Sequence, residues 1–230
     1  MYNSPTLGTL FIVATPIGNL ADISYRAIDI LKSVDLILAE DTRRTGIILK
    51  HYSIDSPMES FHEHNEEKNQ KSIIGRLINR ESMAIVSDAG TPTVSDPGFK
   101  LVRECAREKI TVVPIPGPCA PITSLVGSGL PTDSFVFLGF VPKKEGKRSK
   151  FYDKINTSIK DIRATVIFFE TPPRLNKTLE ELKNKFPVNE IVIAREITKV
   201  NEEFIRGKVS EIQSQLKDKK LKGEVTLLLR

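Results

Sequence analysis

The feature that most constrains the fold is a rhythm in the first half of the chain. Short apolar runs, TLFIVA at 9–14, LILA at 36–39, MAIVS at 83–87 and ITVVPI at 110–115, alternate with longer segments of helical periodicity. At 24–34 the apolar residues Ala27, Ile28, Leu31 and Val34 fall on one helical face, and at 65–80 Ile73, Ile74, Leu77 and Ile78 do the same. Helices are also expected at 42–52, 96–108 (with Pro97 in the first turn) and 120–128. Strands alternating with helices imply a mainly parallel α/β sheet. Gly, Ser and Pro cluster at 127–133, which places a domain boundary there: 1–127 forms an N-terminal α/β domain and 128–230 a C-terminal one. Beyond it, strands at 135–140, 165–169, 190–194, 202–206 and 224–229 are more closely spaced. That spacing implies a mixed sheet with antiparallel pairs. Helices are expected at 151–159 and 174–185, and 143–150 reads as a basic loop.

The sequence excludes several common chemistries. It has no G-x-x-x-x-G-K-[ST] phosphate loop, no G-x-G-x-x-G after the first strand, no G-x-S-x-G elbow and no C-x-x-C pair. Hydrophobic content of 40% and charged content of 27% are those of a soluble globular protein. No apolar run approaches the ~20 residues of a membrane helix, and no signal peptide is evident, so a cytoplasmic location is expected. His62 and His64 lack a third ligand, so no metal site is expected. A net charge of +5 matters less than its placement: Lys143, Lys144, Lys147, Arg148 and Lys150 form one cluster, and Lys217, Lys219, Lys220 and Lys222 another. The first cluster suits either nucleic-acid phosphate or a plain solvated loop, with Phe151 and Tyr152 beside it as candidate base-stacking or core residues.

Three loops close predicted strands: Thr15-Pro16-Ile17-Gly18-Asn19, the stretch SDAGTPTVSDPG at 87–98, and Pro116-Gly117-Pro118-Cys119-Ala120. In open α/β sheets ligands sit beyond the carboxyl ends of the strands. The middle loop carries Asp88 and Asp96, two glycines, two prolines and no basic residue. It is therefore unsuited to phosphate and suited to a ligand that offers hydroxyls or a positive charge. Asp88 would accept hydrogen bonds from a ribose or an ammonium, and Gly90 lets backbone approach closely. S-adenosylmethionine, with sulfonium, ammonium and ribose but no phosphate, fits this chemistry.

TPIGNL (15–20), AEDTR (39–43), HEHNE (62–66), SDAGTPTVSDPG, PIPGP (114–118), SGLPTDSFVFLGFVP (128–142), ETPPRL (170–175) and REITKVNEE (195–203) together resemble the ribosomal RNA small subunit methyltransferase I family, of the tetrapyrrole methylase superfamily. The resemblance implies two α/β domains of the tetrapyrrole methylase type, with the cofactor S-adenosylmethionine in the cleft between them, and a homodimer. It implies 2′-O-methylation of a cytidine in 16S ribosomal RNA at the decoding centre, within the small ribosomal subunit. By similarity Asp88, Ala89, Gly90 and Thr91 line the cofactor site, joined by Ile17, Cys119, Ala120, Phe169 and Ala194. The sequence departs from the family pattern where histidine is expected: Arg44 follows AEDTR, Pro173 precedes Arg174, and Asn201 stands near a third such position. No imidazole base is available there. Candidate proton acceptors are Glu40, Asp41, Glu170, Glu196 and Lys199, with Asp41 first, although an N-cap role for Asp41 fits equally. Catalytic assignments thus fall on Asp41, Glu170 and Lys199. Substrate contacts fall on Arg43, Arg44, Lys143, Lys144, Arg148 and Arg174. Two other readings remain: a methyltransferase of the superfamily acting on a tetrapyrrole, and a non-catalytic RNA-binding assembly protein.

Overall fold

The computed structural model describes residues 7–217 and 221–230. The chain divides into two compact units, Met1–Cys119 and Ala120–Arg230. The first contains β1 (Thr9–Val13), α1 (Tyr25–Ser33), β2 (Leu36–Ala39), α2 (Thr42–His51), β3 (Met58–Ser60), α3 (Glu66–Ile78), β4 (Met83–Val86), α4 (Phe99–Arg107) and β5 (Thr111–Ile115). Its strands lie in the order β3-β2-β4-β1-β5, and every pairing is parallel. LILA and MAIV are buried at every position, as a sheet covered on both faces requires. Side chains alternate between two cores. Leu10, Ile12, Leu38 and Ile85 pack with Ile73, Leu77 and Leu101 of α3 and α4. Val13, Ile37, Ala39 and Val86 pack with Ala27, Leu31, Ile48 and Leu49 of α1 and α2. The chain runs from β1 outward through β2 to β3, then returns to place β4 beside β1 and β5 on its far side. The carboxyl ends of β4, β1 and β5 are thereby adjacent at the reversal of strand order.

The second unit contains α5 (Ala120–Ser128), β6 (Phe135–Phe140), α6 (Glu145–Lys160), β7 (Thr165–Glu170), α7 (Pro172–Lys185), β8 (Glu190–Arg195), β9 (Glu203–Lys208), α8 (Val209–Leu216) and β10 (Val225–Leu229). The order is β6-β7-β10-β8-β9, with β6 and β7 parallel and the other neighbours antiparallel. The expected mixed sheet is present. Val166, Phe168, Ile191, Ile193, Val225, Leu227 and Leu229 face a core filled by α6, α7 and α8. Helix α5 packs against β7, β8, β9 and β10. It belongs to this unit for that reason, so the division falls at Cys119/Ala120, ahead of the 127–133 segment expected to mark it.

Three local expectations need correction. The helix expected from Asp96 starts at Phe99, because Gly98 at its N-cap has φ +117°, a left-handed conformation that breaks helical continuity. A Cβ on Gly98 would also come within 2.6 Å of Ile85 Cδ1. The basic loop at 143–150 is largely the first turns of α6, leaving Lys143 and Lys144 ahead of it. The short edge strand β3 and the helix α8 have no counterpart among the expected elements. Of the second lysine cluster, Lys217 and Lys222 are exposed, while Lys219 and Lys220 lie outside the described residues.

Helix α6 separates the expected RNA-facing cluster into two sets. Lys147 and Lys150 are exposed, whereas Arg148 is 6% exposed, and Phe151 and Tyr152 are core residues. Arg148 is ion-paired to Glu181 of α7, donating from Nε at 3.1 Å, and Tyr152 donates to the same carboxylate oxygen at 2.6 Å. The reason is helical geometry: 148, 151, 152 and 155 fall on the inward face. Arg148 is therefore unavailable to RNA, and its charge is neutralised inside the fold. Removing one partner of a buried ion pair leaves the other unpaired, at a cost of roughly 3–5 kcal/mol when both are fully buried. Because Glu181 is partly exposed, Arg148→Ala is expected to lower unfolding free energy by about 2 kcal/mol. Lys147→Ala, next to it on the solvated face, is expected to stay within about 0.5 kcal/mol of the parent. Urea unfolding of the two variants checks the contrast, and equal midpoints would show that the Arg148 pair is not structural.

Candidate functional site

The three expected loops meet at the carboxyl edge of the first sheet. Thr15 and Gly90 form a two-bond antiparallel bridge, with Thr15 N donating to Gly90 O at 2.9 Å and Gly90 N to Thr15 O at 3.0 Å. Thr15 Oγ1 also donates to Ser87 O at 3.1 Å, and Ser87 Oγ to Gly90 O at 3.3 Å. Thr91 Oγ1 donates to Pro118 O at 3.0 Å, which ties in the loop after β5. Gly90 is buried with φ +91°, and a Cβ there would lie 3.3 Å from Ile17 Cγ2. Backbone conformation and space both call for glycine at this position. Ala89 is exposed at the tip, and Cys119 is half-buried. The loop continues with Thr93 and Ser95 at φ +73° and +68°, left-handed conformations that non-glycine residues adopt only when the surroundings hold them.

Carboxylates gather on the same edge. Asp88 Oδ1 accepts the Asp41 backbone N–H at 3.0 Å, and Glu40 Oε2 accepts the Asp88 N–H at 3.4 Å. The loops after β2 and β4 are thus cross-linked by each other's acids. Arg44 Nη1 stands 3.4 Å from Asp88 Oδ2 while its side chain stays 65% exposed. Burial raises the Glu40 carboxyl above the usual range, and the nearby Asp88 charge adds to this. Asp96 is pushed up to about 6 by burial, with the Glu40 and Asp88 charges adding, against a hydrogen bond from Ser87. Burial is the main cause of both shifts, and the neighbouring acid charges add to it. In the sequence Asp96 reads as a helix start. Its partnership with Glu40 arises only because β2 and β4 pair. Among the described residues, no group of three or more His, Cys, Asp or Glu side chains is arranged to hold a metal ion.

Each candidate proton acceptor now has an environment. Asp41 caps α2, accepting from Arg43 N at 2.9 Å, and Arg43 grips its carboxylate from Nε at 3.0 Å and Nη2 at 2.7 Å. The Arg43 hydrogen bonds hold Asp41 well below the usual carboxylate range, so it is a poor acceptor. Glu170 is fully buried. It accepts from Thr171 N at 2.7 Å and Thr178 Oγ1 at 2.6 Å, with Arg174 at 3.4 Å, so it anchors the start of α7. Lys199 contacts Glu196 at 2.9 Å and Glu224 at 3.1 Å. Burial alone would lower its pKa, but these hydrogen bonds outweigh burial and keep the ammonium protonated. Neither Glu170 nor Lys199 is placed as an acceptor. Arg174 donates to Val141 O at 2.7 Å and Pro142 O at 3.2 Å, clamping the exit of β6. Lys143 and Lys144 are exposed, as is Arg43.

In the second sheet, register places Phe169 and Ala194 opposite Thr226 from either side. The same row continues to Phe140 on β6 and Phe204 on β9. The two residues expected at a cofactor site therefore share one face of this sheet, opposite the face that carries the main core. Thr226 lies between them and Phe140 at the edge of the row; Phe140 falls within the run 128–142 quoted above, whereas Thr226 belongs to none of the quoted motifs.

Comparison with known proteins bears on this geometry. The family described as Tetrapyrrole (Corrin/Porphyrin) Methylases matches residues 9–213. A protein of Hydrogenobaculum sp. named ribosomal RNA small subunit methyltransferase I is 48% identical over 222 residues, spanning 96% of this chain and 94% of its own length. Its namesake from Thermotoga maritima is 47% identical over 223 residues, spanning 97% of this chain and 98% of its own. Among solved structures, uroporphyrin-III C-methyl transferase from Thermus thermophilus complexed with S-adenyl homocysteine superposes with a TM-score of 0.66 at 15% identity, over 96% of this chain and 97% of that one. A diphthine synthase does so with a TM-score of 0.73 at 16% identity, over 96% and 90%. The structural likenesses show the fold, and the sequence match over nearly the whole chain goes further: this protein belongs to the ribosomal RNA small subunit methyltransferase I family of the tetrapyrrole methylases.

Proposed function

We propose that this protein is an S-adenosylmethionine-dependent methyltransferase of small-subunit ribosomal RNA, and that it acts on the 2′-hydroxyl of a cytidine in 16S RNA at the decoding centre. The observation that carries the reading is identity of 44–48% over 96–97% of the chain to proteins named for that RNA. A second reading, methylation of a tetrapyrrole ring, draws on the Thermus thermophilus neighbours, but those share only 15% of the sequence. The exposed Lys143, Lys144, Lys147 and Lys150 favour a polyanion over a single macrocycle.

The first-unit loops fit the cofactor on the chemistry of their groups. Gly90 lets the loop lie close against Ile17 and Pro118, and Asp88, Glu40 and Asp96 offer negative charge with no lysine among them. When bound, S-adenosylmethionine supplies an electrophilic methyl carried on a sulfonium. The chain's own part is positioning and charge. Ile17, Gly90 and Thr91 shape the wall, and Asp88 accepts hydrogen bonds. Positioning of this kind contributes several kcal/mol to a transfer reaction. Glu40 is the acceptor we assign for the hydroxyl proton: it is partly buried and holds a proton more readily than the Arg43-bound Asp41. Arg43 and Arg44, exposed at the start of α2, are assigned to RNA phosphate.

Mapping 2′-O-methyl positions in small-subunit RNA from cells with and without this protein tests the assignment, the expected result being one cytidine that loses its methyl. A parallel assay with uroporphyrinogen as acceptor, giving transfer there and none to RNA, would favour the second reading. Asp88→Ala is expected to weaken S-adenosylhomocysteine binding about tenfold or more, by removing a charged acceptor and loosening the Asp41 turn. Calorimetry on the folded variant checks it, and parent-like affinity would remove Asp88 from the site.

The charge reading has its own signature. Below pH 6 Asp96 is neutral, and as pH rises through about 6 it ionises and the site gains negative charge. S-adenosylmethionine is cationic at sulfur and S-adenosylhomocysteine is not. The affinity ratio favouring the sulfonium is therefore expected to rise roughly fivefold from pH 5 to pH 7, the effect of about 1 kcal/mol of screened attraction. Asp96→Asn is expected to flatten the rise. A ratio that does not move with pH in the parent would mean that the sulfonium lies elsewhere.

A further inference from the structure

The pairing of β6 with β7 is regular from Phe135 to Phe137 and then slips: Phe137 stands opposite Ile167, but Phe140 stands opposite Phe169. Three steps on β6 thus match two on β7. Gly139, at φ +68°, absorbs the extra residue. Because strand side chains alternate faces, one inserted residue reverses the side on which everything beyond it projects. Without the bulge, Phe140 would point with Val166 and Phe168 into the main core. With it, Phe140 joins Phe137 and Phe169 on the other face. Ring centroids lie 5.0 Å apart for Phe137 and Phe169 and 5.1 Å for Phe140 and Phe169.

Phe140 is nevertheless 52% exposed, at the outer end of this aromatic cluster. The chain that follows is fixed. Val141 is buried, its N–H donates to Phe169 O at 3.1 Å, and Arg174 holds the carbonyls of Val141 and Pro142. Immediately beyond come Lys143 and Lys144, with Lys147 and Lys150 on the first turns of α6, all four exposed. A rigid, half-open aromatic ring bordered by ammonium groups suits a ligand with flat faces and a negatively charged backbone. It suits an apolar protein surface poorly, since that partner would have to desolvate the lysines.

We propose that Phe140 is a stacking platform for a nucleobase of the single-stranded RNA substrate, with Lys143 and Lys144 on the adjacent phosphates. The inference rests on the RNA reading above and adds a specific contact to it. Stacking on an aromatic ring tolerates any base, so Phe140 supplies affinity and position, whereas the lysines supply salt-dependent attraction.

The test uses a short single-stranded RNA carrying the fluorescent base 2-aminopurine, with S-adenosylhomocysteine binding followed in parallel. Phe140→Leu keeps an apolar side chain without an aromatic face. It is expected to bind the RNA about tenfold more weakly and to lose the 2-aminopurine quenching seen with the parent. Phe140→Tyr is expected to restore both. The double variant Lys143→Ala/Lys144→Ala is expected to keep the quenching at saturation while its salt dependence falls by roughly 1.4 in slope, about 0.7 for each phosphate that the variant no longer neutralises. S-adenosylhomocysteine affinity and thermal midpoint should match the parent in all three. Parent-like RNA affinity or quenching in Phe140→Leu overturns the proposal. So does an equal loss of S-adenosylhomocysteine binding, which would assign the ring to the cofactor, or a change in sedimentation, which would assign it to contact between copies. A parent that quenches 2-aminopurine but neither binds S-adenosylhomocysteine nor transfers methyl refutes the proposed function while leaving the platform standing.

Discussion

The backbone bridge between Thr15 and Gly90 is the contact on which the arrangement of the first unit's loops depends. Strands β1 and β4 are parallel neighbours, and parallel strands diverge into separate connections once their ladder ends. Two reciprocal hydrogen bonds, at 2.9 and 3.0 Å, instead keep the chain paired for one residue past the sheet, now in antiparallel sense. That reversal requires the β4 loop to turn back on itself, and the left-handed Gly90 makes the turn. The consequences spread from there. The Ser87 and Thr15 hydroxyls both reach the Gly90 carbonyl, Thr91 reaches Pro118, and Ile17 closes against Gly90. The loop is held as a wall that sheet hydrogen bonds alone would not build.

Holding the loops together also brings their acids together, and here electrostatics works against folding. Glu40, Asp88 and Asp96 come from two loops, and burial, with their mutual proximity adding to it, raises the proton affinity of both Glu40 and Asp96. The fold tempers the repulsion in two ways. Backbone N–H groups of Asp41 and Asp88 donate to the neighbouring carboxylates, and Arg44 stands beside Asp88 without being buried. Asp41 is treated differently: its carboxylate is gripped by Arg43 and committed to the helix cap. Of two consecutive acids, one is thereby fixed as structure and the other keeps unused proton affinity. A positively charged ligand would add to Arg44 in balancing this group of acids.

How much of this is legible in the sequence follows from the range of the interactions. LILA and MAIV announce themselves because a strand buried on both faces must be apolar throughout, a purely local property. The loops are legible because glycine and proline mark where a chain turns. The short strand MES carries no such pattern: it lies at the sheet edge, largely exposed, and exists through its pairing with β2. The start of α4 is misplaced in the sequence reading because Pro97 suits a helix start, but Gly98 adopts a left-handed conformation at a point where a side chain would run into Ile85 and Thr93. Arg148 looks like part of a basic run because four neighbours in sequence are lysines that reach water. Only the inward face of α6, and Glu181 on another helix, separate it from them. Glu170 and Lys199 sit near strand ends as reactive groups often do, yet each is consumed by partners that only the tertiary fold supplies.

The same reasoning separates what is committed from what is free, and this distinction carries the functional argument further than residue type does. A charged side chain already matched by close partners gains less by meeting a ligand, because it must first give up those partners. By that measure Arg148, Glu170 and Lys199 are structural, and Arg174 is largely so. Lys143, Lys144, Lys147 and Lys150 have charge to offer, and Phe140 has a face to offer, because the Gly139 bulge diverts it from the side of the sheet that carries the main core. Leaving about half of this ring in water forfeits roughly half of the 1.5–3 kcal/mol that full burial of a phenylalanine gives. Its contact with Phe169, 5.1 Å between ring centroids, recovers part of that, and the part left in water is the face that the proposed base would cover.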